Sequence, residues 1–374
     1  MEIFKIAVYP YSPEIDPVLR YIHFLMPQYE IKSLISPKGW GYVNKTIYLG
    51  KSTSEKSIIV KSSLNDLDKE INCILIPEFE STKEFKSNLI DNISNLMPGI
   101  TKIICDAHLN EVNLKKLQEI CISSNNACTL NIRNKIKTEC DYNLQIQEDD
   151  ETLENIPAPI IAVAGMGENL DKFHTSLVLR DVFQENGYKI SQIGSRSYCE
   201  ILGFHSFPGF MFNPEIDESK KVILFNRYIK QIYDTEKPDI IIIGVPGTIQ
   251  GYNSKFTQRF GILHYLVFKA IISDFIVMCT FYETNGIEFL KLISQSCFYK
   301  FGCYANCFHM SNKTINFIEM EGRGIFKYIN LPRKKVTEIL SKNYTESPVP
   351  VVNLLDESGI LELYEKIINK LTGN

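Results

Sequence analysis

Short apolar runs and amphipathic stretches alternate along this chain at the spacing of strands and crossover helices. Residues 5–9 and 30–35 read as strands, and Val18, Leu19, Ile22, Leu25 and Met26 mark one face of a helix between them. Further apolar runs at 57–60, 73–77, 102–105 and 127–130 alternate with helical patterns at 81–96 and 110–123. A polar, acidic and then proline-bearing stretch follows, with Gln147, Glu148, Asp149, Asp150, Glu151 and Pro157. A second series then begins, with strands expected at 160–163, 189–193, 239–243, 275–279, 304–309 and 350–354. Its helices are expected at 172–185, 217–236, 256–271, 286–296 and 357–371. Alternation of this kind predicts an α/β protein of two doubly wound, mostly parallel sheets. The expected boundaries are a Rossmann-like domain over 1–145, a linker over 146–158, and a P-loop NTPase-like domain over 159–374.

Composition narrows the class without changing it. The chain has 374 residues, 44% of them apolar, and a formal net charge of -4. That length favours two domains, and mixed charges imply no broad basic surface, so nucleic acid is not an expected partner. No apolar stretch approaches the ~20 residues of a membrane span. The N-terminus, Met1-Glu2-Ile3-Phe4-Lys5, runs straight into a strand and lacks a signal-peptide plan, so a cytoplasmic protein is expected. Ten cysteines are spread along the chain with no Cys-x-x-Cys pair, and Cys73, Cys105 and Cys279 lie inside apolar runs. Buried thiols in a reducing compartment fit that distribution better than a disulfide framework. Cys297, Cys303, Cys307 and His309 match no common metal-ligand spacing, so no metal site is expected.

The chemistry concentrates after the strand at 160–163, in Ala164-Gly165-Met166-Gly167-Glu168-Asn169-Leu170-Asp171-Lys172-Phe173-His174-Thr175-Ser176. Strand, glycine-rich turn and helix is the layout of a phosphate-binding loop, in which backbone N–H groups, a helix N-terminus and a lysine converge on an anion. Gly165 and Gly167 precede Lys172 at nearly the required spacing. Two positions depart from the pattern. Asp171 stands where such a loop has glycine, and Phe173 where it has the magnesium-binding hydroxyl, although Thr175 and Ser176 follow within a turn. A carboxylate ~4 Å from a phosphate charge is repelled by about 4 kcal/mol at an effective dielectric of ~20. Two readings stay open: an altered nucleotide site, or a plain turn with Asp171 capping the helix.

Other polar candidates follow later strands, where open α/β sheets bind ligands. Ser195, Arg196, Tyr198 and Glu200 follow one strand, with Arg196 suited to a carboxylate or phosphate. Residues 203–212 hold four phenylalanines and His205 among Gly and Pro, which excludes a regular helix. Gly244 and Gly247 end the isoleucine-rich strand without the acid that usually supports a metal there, which makes magnesium use doubtful. In the first half, the only tryptophan, Trp40, follows the second strand, and no Gly-x-Gly-x-x-Gly turn follows the first.

These motifs carry two resemblances. The 165–198 stretch resembles the loop, helix and second strand of the dethiobiotin synthetase and cobyrinic acid synthase class of P-loop proteins, except at Asp171 and Phe173. Five blocks in order resemble the clostridial peptide maturation system family: Ser36-Pro37-Lys38-Gly39-Trp40-Gly41, Asp171-Lys172-Phe173, Ser191-Gln192-Ile193-Gly194-Ser195-Arg196, Gly203-Phe204-His205-Ser206-Phe207-Pro208 and Gly244-Val245-Pro246-Gly247. That resemblance implies a place beside bacteriocin-like or other natural-product precursor peptides and their radical-SAM maturases. It supplies a pathway and no reaction.

The expected function is an accessory protein in maturation of a ribosomally made peptide. It would bind the peptide, its maturase or a phosphorylated ligand at the strand ends, with Lys172, Arg196 and His205 as leading contacts. The alternative is a nucleotide-dependent ligase- or kinase-like enzyme. There Lys172 would hold phosphates, Thr175 or Ser176 would replace the metal hydroxyl, and His205 or Glu200 would act as base. The sequence leaves the oligomeric state open.

Overall fold

Ile240–Gly244 is four isoleucines and a glycine, buried from end to end, as a strand covered on both faces must be. Ile160–Gly165 and Phe275–Thr280 are buried in the same way. These strands belong to a computed structural model that describes residues 3–51, 56–79, 83–95, 99–123, 129–132, 144, 151–282, 286–324 and 326–373. The chain divides into two compact units, Met1–Lys135 with Arg196–Ser206, and Ile136–Ser195 with Phe207–Asn374. Part of the expected linker, 146–150, lies outside the described residues, as do the ends of the helix expected at 81–96 and the start of the strand expected at 127–130.

The first unit is a parallel sheet in the spatial order Tyr29–Leu34, Phe4–Val8, Cys73–Ile76, Lys102–Cys105, Thr129–Ile132. In chain order that is 2-1-3-4-5, a doubly wound Rossmann-like arrangement whose topological switch point lies between the first and third strands. Trp40 packs inside this unit, 5.3 Å from the Phe85 ring and 6.1 Å from Phe79. The helix expected over 17–26 is shorter. Asp16–Arg20 is helical, Tyr21 leaves helical geometry, and Ile22–Phe24 is a tight turn.

Arg196–Ser206 groups with this first unit, although its place in the sequence predicts the second. Its anchors explain why. The Ser197 N–H donates to Asp106 at 2.7 Å, and the Met26 N–H donates to the Ile201 carbonyl at 2.8 Å.

In the second unit the parallel strands run in the order Ile190–Gly194, Ile240–Gly244, Ile160–Gly165, Phe275–Thr280, Cys307–Met310, Val351–Val352. After Ile160–Gly165 the chain places two strands on one side of that strand, the farther one first, and then three on the other. Ile160–Gly165 therefore marks the topological switch point, and the loop at its carboxyl end faces the crevice where such sheets bind ligands. This half is P-loop NTPase-like, with the degenerate loop carried between Ile160–Gly165 and the helix Lys172–Glu185. Among the described residues no helix is long and apolar enough to cross a membrane.

The helix expected over 256–271 begins late, at Ile262, because the chain before it turns left-handed. Gln258, Arg259 and Phe260 all have positive φ (45°, 55° and 56°), followed by Gly261 at 74°. Each non-glycine residue there costs about 1–2 kcal/mol. A Cβ on Gly261 would lie 2.3 Å from the Ile249 carbonyl oxygen. Gly261→Ala is therefore expected to cost about 2–4 kcal/mol, from backbone strain plus overlap, read as a lower urea midpoint with unchanged slope.

Candidate functional site

The loop between Gly165 and Lys172 joins the strand Ile160–Gly165 to the helix Lys172–Glu185, and both Asp171 and Lys172 find partners inside their own unit. Asp171, in the glycine position, has φ 57° and ψ 13°, so the left-handed conformation that glycine serves is retained. Aspartate is one of the few residues that tolerates it. Asp171 does not cap the helix: its side chain accepts nothing from the first turn, and an N-cap residue would be extended. Instead its carboxylate accepts a hydrogen bond from the Ser311 hydroxyl and lies 3.3 Å from the Lys313 ammonium. Lys313 also donates to the Asn169 carbonyl at 2.6 Å. His309 is fully buried. The Leu354 N–H donates to its Nδ1 at 3.2 Å, which leaves the proton on Nε2, 3.7 Å from the carboxylate. Burial works against the charged form of Asp171, but His309, Lys313 and Ser311 outweigh it and hold the carboxyl well below the usual range.

Lys172 is buried, and its ammonium donates to the Gly167 carbonyl at 2.9 Å and to the Gly247 carbonyl. Its stem folds over Gly165, where an added Cβ would lie 2.9 Å from Lys172 Cδ. Gly167 meets the Tyr328 hydroxyl, which would be 2.3 Å from a Cβ there. One loop N–H, that of Met166, donates to the Cys279 carbonyl at 2.9 Å. Thr175 and Ser176 are buried against the sheet. The Thr175 hydroxyl lies 3.5 Å from the Cys279 sulfur, and Ser176 donates to the Lys172 carbonyl at 3.0 Å. Gly244 leaves room for Ser176: a Cβ would lie 3.0 Å from its Oγ. Both hydroxyls thus have internal partners, and Phe173 offers none.

Of the sequence candidates, Gly165, Gly167, Lys172, Thr175, Ser176, Gly244 and Gly247 come together around this loop, and Ser195 stands half-buried after the Ile190–Gly194 strand of the same unit. Arg196, Tyr198, Glu200 and His205 belong to the first unit. There the Arg196 guanidinium lies 3.3 Å from Asp106, whose side chain is fully buried. Burial alone would lower the arginine's proton affinity, but Tyr198, Asp106, Glu14 and Glu78 raise it above its ordinary value. Burial also pushes the Tyr198 phenol up. Arg196 Nε is buried with no hydrogen-bond partner among the described residues, so this guanidinium keeps a donor in reserve. Glu200 accepts from both the N–H and the hydroxyl of Ser206, and that hydroxyl also donates to the Arg196 carbonyl at 2.7 Å. Glu200 therefore closes its own loop. Of the nearby aromatics, Phe207 and Phe210 are buried in the second unit's core, where Phe207 packs 5.3 Å from Phe225, while Phe212 is partly exposed.

Sequence reasoning missed Asp106, His264, Ser311 and Lys313. His264 lies in the apolar run Ile262-Leu263-His264-Tyr265-Leu266-Val267 and is fully buried, with neither ring nitrogen partnered among the described residues. Burial first, and the charge of Lys172 second, hold its imidazole neutral. Nothing local signals these residues, since Ser311 reaches Asp171 across 140 positions. Among the described residues no three His, Cys, Asp or Glu side chains are grouped to hold a metal ion.

No protein-family profile matches this chain, and no curated protein sequence matches it. A solved structure does share its fold. A DUF1611 family protein from Anabaena variabilis ATCC 29413 superposes with a TM-score of 0.66 at 10% identity, over 98% of this chain and 99% of that one. An ATP complex of a Cyanothece McdA variant gives a TM-score of 0.32 at 12% identity, over 57% of this chain and 95% of that one. The protein APE1195 gives 0.24 at 12% identity, over 56% and 95%. The first likeness spans nearly the entire chain and shows the two-unit α/β fold.

Proposed function

We propose that this chain is a non-hydrolysing accessory protein of peptide maturation, working in the cytoplasm and binding a precursor peptide, its maturase or a phosphorylated ligand. The observation that carries the non-hydrolysing part is the partnering of Lys172 and Asp171. The lysine that would hold phosphates donates to two backbone carbonyls of its own unit. The aspartate beside it is kept ionised and is engaged by Ser311 and Lys313. A nucleotide would have to displace the lysine's acceptors, which opposes binding. The peptide-maturation part rests on the five sequence blocks that resemble the clostridial family.

The ligase- or kinase-like alternative needs a hydroxyl for magnesium and a base. Thr175 and Ser176 are engaged inside the unit, and Glu200 is bonded to Ser206. No specific observation favours that reading.

The test is to co-express precursor peptide and radical-SAM maturase with and without this chain and to read the peptide by mass spectrometry. The modified mass is expected to depend on the chain. A product that forms equally well without it would refute the assignment.

A further inference from the structure

The second unit carries a surface that the loop does not explain. The left-handed turn at 258–260 holds backbone strain while exposing two of its three side chains: Phe260 is 69% exposed, and Arg259 is exposed beside it. Strained non-glycine backbone that leaves an aromatic side chain exposed points to function. The helix Ile262–Ala270 continues this face, with Ile262, Tyr265 and Lys269 exposed at i, i+3 and i+7 on one side. The helix Gly286–Phe301 adjoins it. Phe301 stacks on Phe268 at 4.7 Å, and Lys300 donates to the Gln250 side chain at 3.0 Å. Gln250 itself lies against Gly261, so the end of this helix is next to the turn. That end presents Tyr299, 84% exposed, and Phe298 stacked on the exposed Tyr304 at 4.5 Å.

Charge selects the occupant. Arg259, Lys269 and Lys300 have no carboxylate partner among the described residues, although the whole chain is net negative. Of the acids on or beside these helices, Glu288 pairs with Lys291 at 2.6 Å at the far end of its helix, and Asp274 accepts the Ile160 N–H at 2.8 Å. A second copy of this face would set like charges against each other. An acidic partner with apolar side chains would meet both the cations and the aromatics.

We propose that the face formed by the 258–261 turn, the outward side of Ile262–Ala270 and the end of Gly286–Phe301 docks an acidic, apolar-bearing segment of a peptide. This rests on the peptide-maturation reading and deepens it: the face takes the precursor by its acidic segment and leaves the glycine-rich loop uninvolved.

Fluorescence anisotropy on the full chain tests it with two labelled amphipathic peptides of equal Leu and Phe content, one with Glu and one with Lys at the polar positions. The Glu peptide is expected to bind, more weakly as salt rises. Its affinity should fall about tenfold or more in Arg259→Glu/Lys269→Glu/Lys300→Glu and in Phe260→Asn/Tyr299→Ser. Asparagine tolerates the left-handed backbone, and an unchanged melting temperature shows that the fold is intact. Equal binding of the Lys peptide, no binding of either, unaltered binding by the variants, or displacement by a single-stranded oligonucleotide at lower concentration would each overturn the proposal. If docking fails while maturation still requires the chain, the face is wrong and the function stands. If docking holds while maturation proceeds without the chain, the function is wrong.

Discussion

Asp171→Ala is expected to destabilise the protein by about 2–4 kcal/mol at neutral pH, read from urea unfolding. The substitution leaves the Lys313 ammonium and the Ser311 hydroxyl without the carboxylate they share. It also leaves a Cβ-bearing residue in a left-handed conformation with nothing to compensate. Asp171→Gly should therefore be the milder change, by about 1 kcal/mol, because glycine enters that region freely. In most helix-start positions the order would be neutral or reversed, so the ranking itself tests the geometry. The pH dependence has a fixed sign. The folded carboxyl lies below its ordinary value, so its stabilisation is fully present above the unfolded value near pH 4 and is lost as pH falls through the folded one. The gap between wild type and Asp171→Ala should hold from pH 7 to about 5 and close on further acidification. A gap that widened in acid would show that the carboxylate is not ion-paired.

Asp106→Ala should cost about 3–5 kcal/mol, because it strands the Arg196 guanidinium in a buried setting and opens the Ser197 N–H. Asp106→Asn keeps an acceptor for Ser197 and should cost less. The distinguishing readout is amide exchange. Ser197 should lose protection in the alanine variant, followed by the rest of 196–206, while strands of the second unit change little. Uniform loss of protection would mean that Asp106 supports the protein generally and has no special hold on this segment.

Much of the architecture was legible because strands are local. Ile240–Gly244 and Phe275–Thr280 announce themselves as apolar runs of strand length between helical patterns, and both are buried strands. Strand order was not legible, since no run names its neighbour. The helix start at Ile262 was missed because apolar periodicity continues through 256–261 while the backbone turns left-handed around Gly261. The hairpin of Lys313–Ile315 with Tyr328–Asn330, and the helix Arg333–Asn343, lie in mixed polar sequence that signals neither element. At the loop, the residue types were readable and their partners were not. Asp171 was seen as out of place, but only tertiary structure supplies Ser311 and Lys313, which turn that misfit into a latch. Likewise the departure of 196–206 to the other unit depends on Asp106, 90 positions from Arg196.

A loop closed by its own lysine and aspartate should not serve a nucleotide. Isothermal titration of the intact chain with ATP and with GTP, each with and without magnesium, tests it most directly. No heat of binding is expected up to millimolar nucleotide in any of the four titrations. Magnesium-dependent binding in the micromolar range would contradict it.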